Sequence, residues 1–205
     1  MELSEIQLDA LRELGNIGAA HAATALSQLM NCSVEMSVPE IHLVDIASMY
    51  SYIGDDISAI VAFQIQGDLG NGGYIVLHMP EQTARRMTAL LLGTPDNNNG
   101  VFSEMHTSTV IEIGNIMVSA FLDGTAGLLN ILMLPSPPAF VLDMPHAAID
   151  TILASQALDI DEVLIFRTEL STQDSMIRAN ILLLPHPLML HDILHMLGVI
   201  VAPSE

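Results

Sequence analysis

The sequence predicts an α+β fold made of two pseudo-symmetric repeats, with an antiparallel sheet and long helices that carry the candidate site. Two observations predict it. A pattern of helix, short strands, hairpin-linked strands and closing helix runs through the chain twice, and that order favours segregated helices over an antiparallel sheet. Glu13-Leu14-Gly15-Asn16-Ile17 recurs as Glu112-Ile113-Gly114-Asn115-Ile116, 99 residues later. A period near 100 is too long for a solenoid, so it marks two copies of one α/β unit related by a pseudo-two-fold axis. The expected organisation is one domain over residues 1–205, built from repeats of about 1–99 and 100–205.

The elements follow in order. Residues 4–30 read as a helix, with apolar positions at Ile6, Ala10, Leu14 and Ile17 and Ser4 as N-cap. Residues 33–46 read as two short strands broken by Pro39. Residues 58–66 and 73–79 are strands joined across a glycine-rich turn. Pro80 opens a helix to about Leu92, because proline suits a first helical turn. Residues 95–100, Pro-Asp-Asn-Asn-Asn-Gly, form a loop between the halves. The order then repeats. A helix runs from Ser103 to about Leu122, a strand lies near Phe140, and a short helix covers about 146–154. Strands at 162–170 and 176–184 and a helix at 186–197 complete the chain. The repeat offset grows from 99 to about 105 along it, so the second half carries about six extra residues, expected in a loop.

Composition narrows the function. The 205 residues are 51% hydrophobic, enough for a sizeable core. There are 24 acidic residues and only five basic ones, all arginine, for a net charge of -19. Nucleic-acid binding needs a basic footprint that this chain lacks, and an anionic membrane surface would repel it. The charge fits a salt-adapted surface or a basic partner reached by long-range steering. The longest run free of Asp, Glu, Lys, Arg and His, Gly124 to Leu142, holds three prolines, which argues against a membrane span. The acidic start does not resemble a secretory signal. A cytoplasmic protein is expected.

On a helical wheel Asp9, Glu13 and Asn16 share an arc of roughly 60°, as do Ser108, Glu112 and Asn115. One such stripe is ordinarily the wet face of an amphipathic helix. A wet face does not require the same Glu and Asn twice. Nor does it require Gly15 and Gly114, each costing about 1 kcal/mol relative to alanine inside a helix. The glycines suggest a place where another backbone comes close, hence a docking surface. Neither a nucleophile motif nor a phosphate loop accompanies the pair. A carboxamide can hold an attacking water in line, and a carboxylate can anchor a basic group. These residues suit a protein that completes another protein's active site.

The pattern [Asp/Ser]-x3-Glu-x2-Asn-x22-Pro, present from Asp9 to Pro39 and from Ser108 to Pro138, resembles the CheC-type family of chemotaxis phosphatases, which includes CheX and FliY. The resemblance covers the whole chain, and two complete motifs favour the CheC branch over CheX. The extra C-terminal switch domain of FliY is expected to be absent. The resemblance implies hydrolysis of the aspartyl phosphate of the response regulator CheY, whose own site carries magnesium; no cofactor of this chain's own is expected. It implies that Asn16 and Asn115 orient the attacking water and that Glu13 and Glu112 pair with a lysine of the regulator. Asp9 and Ser108 would support the same surface, and Pro39 and Pro138 would be structural. The resemblance also implies binding of the receptor deamidase CheD near the second half's short helix, with Asp143 and the stretch from His146 to Leu153 as candidates. An adaptor that mainly holds CheD is the alternative. Ala20 and His21 depart from the usual continuation of the first motif, so packing or docking at the first site is expected to differ.

No metal ligands are assigned. His191 and His195 are spaced i, i+4, as metal ligands can be, but a solvated or partly buried helix face accounts for them better. Asp55-Asp56 read as a turn before a strand. Cys32 has no basic neighbour to activate it and is expected to be inert.

Overall fold

A computed structural model describes residues 4–37, 40–69, 72–94, 102–156, 162–171 and 176–201. The first half runs α1 (Glu5–Met30), β1 (Glu35–Met36), β2 (Glu40–Asp45), α2 (Tyr50–Ile53), β3 (Ser58–Gly67), β4 (Gly73–Pro80) and α3 (Glu81–Leu92). The second runs α4 (Glu104–Leu129), β5 (Met133–Pro135), β6 (Ala139–Asp143), α5 (Pro145–Gln156), β7 (Glu162–Ser171), β8 (Met176–Pro185) and α6 (Pro187–Val201). Both halves therefore have the same element order, and the expected α+β fold with an antiparallel sheet is present.

The long helices begin and end alike. Ser4 and Ser103 each accept from the backbone N–H three residues on, while Gln7 and His106 reach back to the cap. These reciprocal bonds satisfy amide donors that an open helix start leaves unpaired. Asn31 and Asn130 close the helices in the left-handed conformation, with φ of 49° and 54°. Both helices are 26 residues long. The second outruns the expected end near Leu122. Gly124, in this extension, sits where a Cβ would lie 2.9 Å from the His21 ring of α1. Gly18 of α1 has the same relation to Phe121 of α4, at 2.7 Å. The helices press together there, and their contact outweighs glycine's poor helix propensity.

The eight strands form one antiparallel array in the order β1/β2, β7, β8, β4, β3, β5/β6. Each half lends its short strands to the other. β2 pairs with β7, placing Ile41 opposite Phe166, and β6 pairs with β3, placing Phe140 opposite Val61. The halves meet at the β4–β8 ladder. It runs from Gly73 opposite Pro185 to His78 opposite Asn180, with Val76–Leu182 and Leu77–Ile181 the two pairs before that end.

Alternation along the strands divides the core in two. Leu77, Val61, Phe166 and Ile181 point to the face covered by α1, α3, α4 and α6. Ile60, Val76, Ile165 and Leu182 point to the opposite face, covered by Met49, Ile53, Ala148 and Ile149 of the α2 and α5 regions. That second face holds a buried polar chain. Asn180 Nδ2 lies 3.0 Å from His78 Nδ1, and His78 Nε2 lies 3.0 Å from Ser58 Oγ. Ser58 Oγ donates to the Asp56 carbonyl at 2.8 Å. One neutral tautomer of His78 satisfies all three bonds, and burial pushes its pKa down to about 4.

Three elements depart from expectation. The extra residues of the second half fall between β6 and β7, where α5 has 12 residues against four in α2. They thus build helix as well as loop. The helix α2 and the strand β5 were not expected. Pro39 and the loop at 95–100 lie outside the described residues.

Candidate functional site

The two motifs occupy equivalent places on α1 and α4. Asp9 and Glu13 are exposed and Asn16 is half-buried; Ser108 and Glu112 are exposed and Asn115 is half-buried. Between each Glu and Asn, the glycine faces inward. A Cβ at Gly15 would lie 2.7 Å from the Phe166 ring and 2.8 Å from Ile41 Cδ1. A Cβ at Gly114 would lie 2.9 Å from Val61. This corrects the expectation that the glycines admit a partner's backbone: they admit this chain's own sheet. Their work is to lower each helix onto a strand pair, β2/β7 for α1 and β3 for α4. The neighbouring Glu and Asn are thereby held rigidly on the outer face.

The same contacts separate the motifs. Strands β7 and β3 are three strand spacings apart, roughly 14 Å. Glu13–Asn16 and Glu112–Asn115 thus stand over different strands rather than in one cluster. Each can present an acceptor carboxylate and, about one turn further along, an amide that both donates and accepts.

The sites differ in one ion pair. Arg12 donates to Asp9 at 2.6 Å, with both side chains more than 60% exposed. The equivalent positions in α4 are Ile111 and Ser108, which cannot form it. Asp9 therefore already has a charged partner within its own helix. The i, i+3 spacing of Asp9 and Arg12 was there to be read in the sequence.

Pro138 is half-buried between β5 and β6. Asp143 lies far from the motifs in the fold, at the end of β6 opposite Ser58. It borders a cavity of about 250 Å³ between β3, β6 and α5, lined also by Ile60, Ala62, Val141, Ala148 and Ile152. This cavity opens on the face opposite α1 and α4. There α5 is tied to α2: the Tyr50 hydroxyl donates to Asp150 at 3.1 Å, and the His146 ring meets Tyr50 edge-on at 4.8 Å. Burial and the Asp150 carboxylate push the Tyr50 pKa up to about 12. Nothing local in the sequence pairs Tyr50 with Asp150, because α2 is too short to show periodicity.

Among the described residues no group of three or more His, Cys, Asp or Glu is placed to hold a metal ion. The His191 and His195 rings lie 6.4 Å apart. Cys32 is exposed. No helix among the described residues is long and apolar enough to cross a membrane.

Comparison with known proteins agrees with this geometry. The CheC-like family matches twice, at residues 6–43 and 105–142. Each match starts in the first turn of a site helix and reaches the short strand lent to the other half. The CheY-P phosphatase CheC of Bacillus subtilis is 31% identical over 89% of this chain and 90% of its own length. A CheC1 protein of Halobacterium salinarum is 28% identical over 87% of this chain and 90% of its own. The crystal structure of Thermotoga maritima FliY superposes with a TM-score of 0.75 at 19% identity, over 97% of this chain and 99% of that one. With the motif duplicated in sequence, its two copies on equivalent helices and a relative this similar along almost its whole length, the chain belongs to the CheC-like family.

Proposed function

We propose that this protein is a phosphatase that hydrolyses the aspartyl phosphate of the response regulator CheY in chemotaxis signalling. The observation that carries the reading is the recurrence of one exposed Glu and one half-buried Asn on two equivalent helices, in a chain 31% identical to a CheY-P phosphatase. Phosphoryl hydrolysis is mainly positioning and electrostatics, with little covalent work for the enzyme. Asn16 or Asn115 accepts a hydrogen bond from a water at Oδ1 and donates one from Nδ2 to its oxygen, aiming the water at phosphorus opposite the leaving carboxylate. Glu13 or Glu112 pairs with a lysine of the regulator and fixes the pose, so the water arrives already oriented. Magnesium belongs to the regulator's own site, and this chain supplies no cofactor. Asp9 and Ser108 support the docking face; Pro138 lies between the two short strands β5 and β6, and Pro39 holds the matching place in the motif.

The seating of the two motif glycines on strands three spacings apart supports two separately acting sites on one unit spanning 1–205. A charge of -19 and the lack of a basic footprint support a cytoplasmic protein that neither enters membranes nor binds nucleic acid. A second reading, an adaptor for the deamidase CheD, has its own support in the apolar cavity beside Asp143 and α5. Because that cavity lies on the opposite face, CheD and CheY would not compete for one surface.

The test is the decay of radiolabelled phospho-CheY with magnesium present, for wild type, Asn16→Ala, Asn115→Ala and the double variant. Faster decay with wild type, lost in the double variant, is expected. Decay no faster than the regulator's own would overturn the phosphatase reading. Capture of CheD by that same wild-type protein would then leave the adaptor.

A further inference from the structure

We propose that Ile6 and Met105 are docking contacts that seat the phosphorylated response regulator on the two sites. The inference rests on the phosphatase reading above and adds residues outside its motif. Ile6 belongs by periodicity with the apolar face of α1, yet it is 61% exposed, and Met105 of α4 is 62% exposed. They stand at the 99-residue offset that relates the two motifs. Among the described residues the other large apolar side chains with high exposure show no such pairing. At the offset of 99, Leu132, Leu134 and Met144 correspond to Ser33, Glu35 and Asp45; at that of 105, Leu90 corresponds to His195 and Leu92 to the buried Leu197. A single exposed apolar side chain needs no explanation, but the same exposure at both equivalent positions does.

Placement says what covers them. On the helical wheel Ile6 lies roughly 20° from Glu13, so Ile6, Asp9, Glu13 and Asn16 form one outward stripe. Met105, Ser108, Glu112 and Asn115 form its counterpart. The apolar side chain sits about 10 Å along the axis from the Glu and about 15 Å from the Asn. A body that brings its phosphoaspartate to Asn16 and a lysine to Glu13 therefore extends over the first turn of α1. There it meets Ile6 beside the capping box, on backbone that is already fixed. The occupant is an apolar patch of the regulator bordering its phosphorylation pocket. Burying Ile6 or Met105 adds affinity that is the same before and during the chemical step, so it acts on KM rather than on kcat.

The test is steady-state decay of phospho-CheY for Ile6→Ser, Met105→Ser and the double variant. Titration with beryllofluoride-activated CheY reports binding without turnover, and thermal unfolding controls for the fold. The double variant should raise KM and Kd roughly tenfold, with kcat within twofold and Tm unchanged, as expected for truncating a central apolar anchor. Ile6→Leu with Met105→Leu should restore wild-type values. An unchanged KM and Kd would overturn the docking role, as would a loss of kcat that tracks a fall in Tm. If wild type binds activated CheY but does not hydrolyse phospho-CheY, the phosphatase reading fails and Kd alone decides the docking role. If wild type does neither, both fail.

Discussion

The helices α1 and α4 carry the same cap, the same inward glycine, the same Glu–Asn pair and the same left-handed Asn at the end. What surrounds these features is not the same. The first helix has an Asp9–Arg12 ion pair where the second has Ser108 and Ile111. The first packs its glycine on a phenylalanine and the second on a valine. Between the two central strands, one end of the ladder has a polar His78–Asn180 pair where the repeat puts the apolar Ile75–Leu183 pair. The lesson is that the shared parts set where the Glu and Asn stand, while the rest of each half is free to vary in charge and packing.

The strongest way to sharpen this comparison is to remove each amide in turn. Asn16→Ala and Asn115→Ala should each lower the turnover of their own site by about 10²–10³-fold, the scale for losing one preorganised polar group. Single-turnover decay of phospho-CheY against each single variant gives the two sites' separate contributions. If either variant alone abolishes decay, the sites are not equivalent.

Packing comes next. Gly15→Ala and Gly114→Ala should each destabilise the fold by about 1–3 kcal/mol, as overpacked cores do, after a partial offset from alanine's better helix propensity. Urea unfolding measures this. Gly127, whose Cβ position is open, is the control and should gain stability on the same change.

The polar pair makes the seam between the halves sensitive to acid. His78 stays neutral in the folded chain down to about pH 4, while the unfolded chain takes up the proton near 6.5. Stability is therefore full above 6.5 and is lost as pH falls toward 4. The loss should be about 2 kcal/mol between pH 7 and pH 5 from this group alone. Comparing denaturation midpoints at the two pH values for wild type and His78→Leu isolates it, since the variant should lose that share of the pH dependence. An equal slope in both proteins would assign the acid sensitivity elsewhere.

The smallest effect belongs to the ion pair. Both partners are well exposed, so Arg12→Ala should change stability by less than about 1 kcal/mol. It should shift the salt dependence of the first site's KM while leaving the second site unaltered. Running the assay in the Asn115→Ala and Asn16→Ala backgrounds separates the two.

Much of this architecture was legible in the residues. The helices α1 and α4 announce themselves through caps and periodicity, and β3, β4, β7 and β8 through runs of Ile, Val and Leu between turn residues. Repetition picked out the motif residues, because duplication distinguishes a purposeful stripe from a wet face. What escaped was short or non-local. The four residues of α2 and the three of β5 cannot display a period. The helix runs on past Leu122, and the contact of Gly124 with His21 that holds this extension is non-local. Ile6 was placed with the apolar face because the wheel puts it on the boundary. The inward role of Gly15 depends on Phe166, which no local pattern brings near.

The lending of short strands between halves also sets a timetable for folding. Ile41 of β2 leaves the ribosome long before its neighbour Phe166 of β7 exists. With roughly 125 residues between them and synthesis at about 5–20 residues per second, that edge waits on the order of ten seconds. During the wait the nascent first half has its β3–β4 hairpin but no place for β2, leaving an apolar strand unpaired. Pairing across so long a loop closes late and slowly.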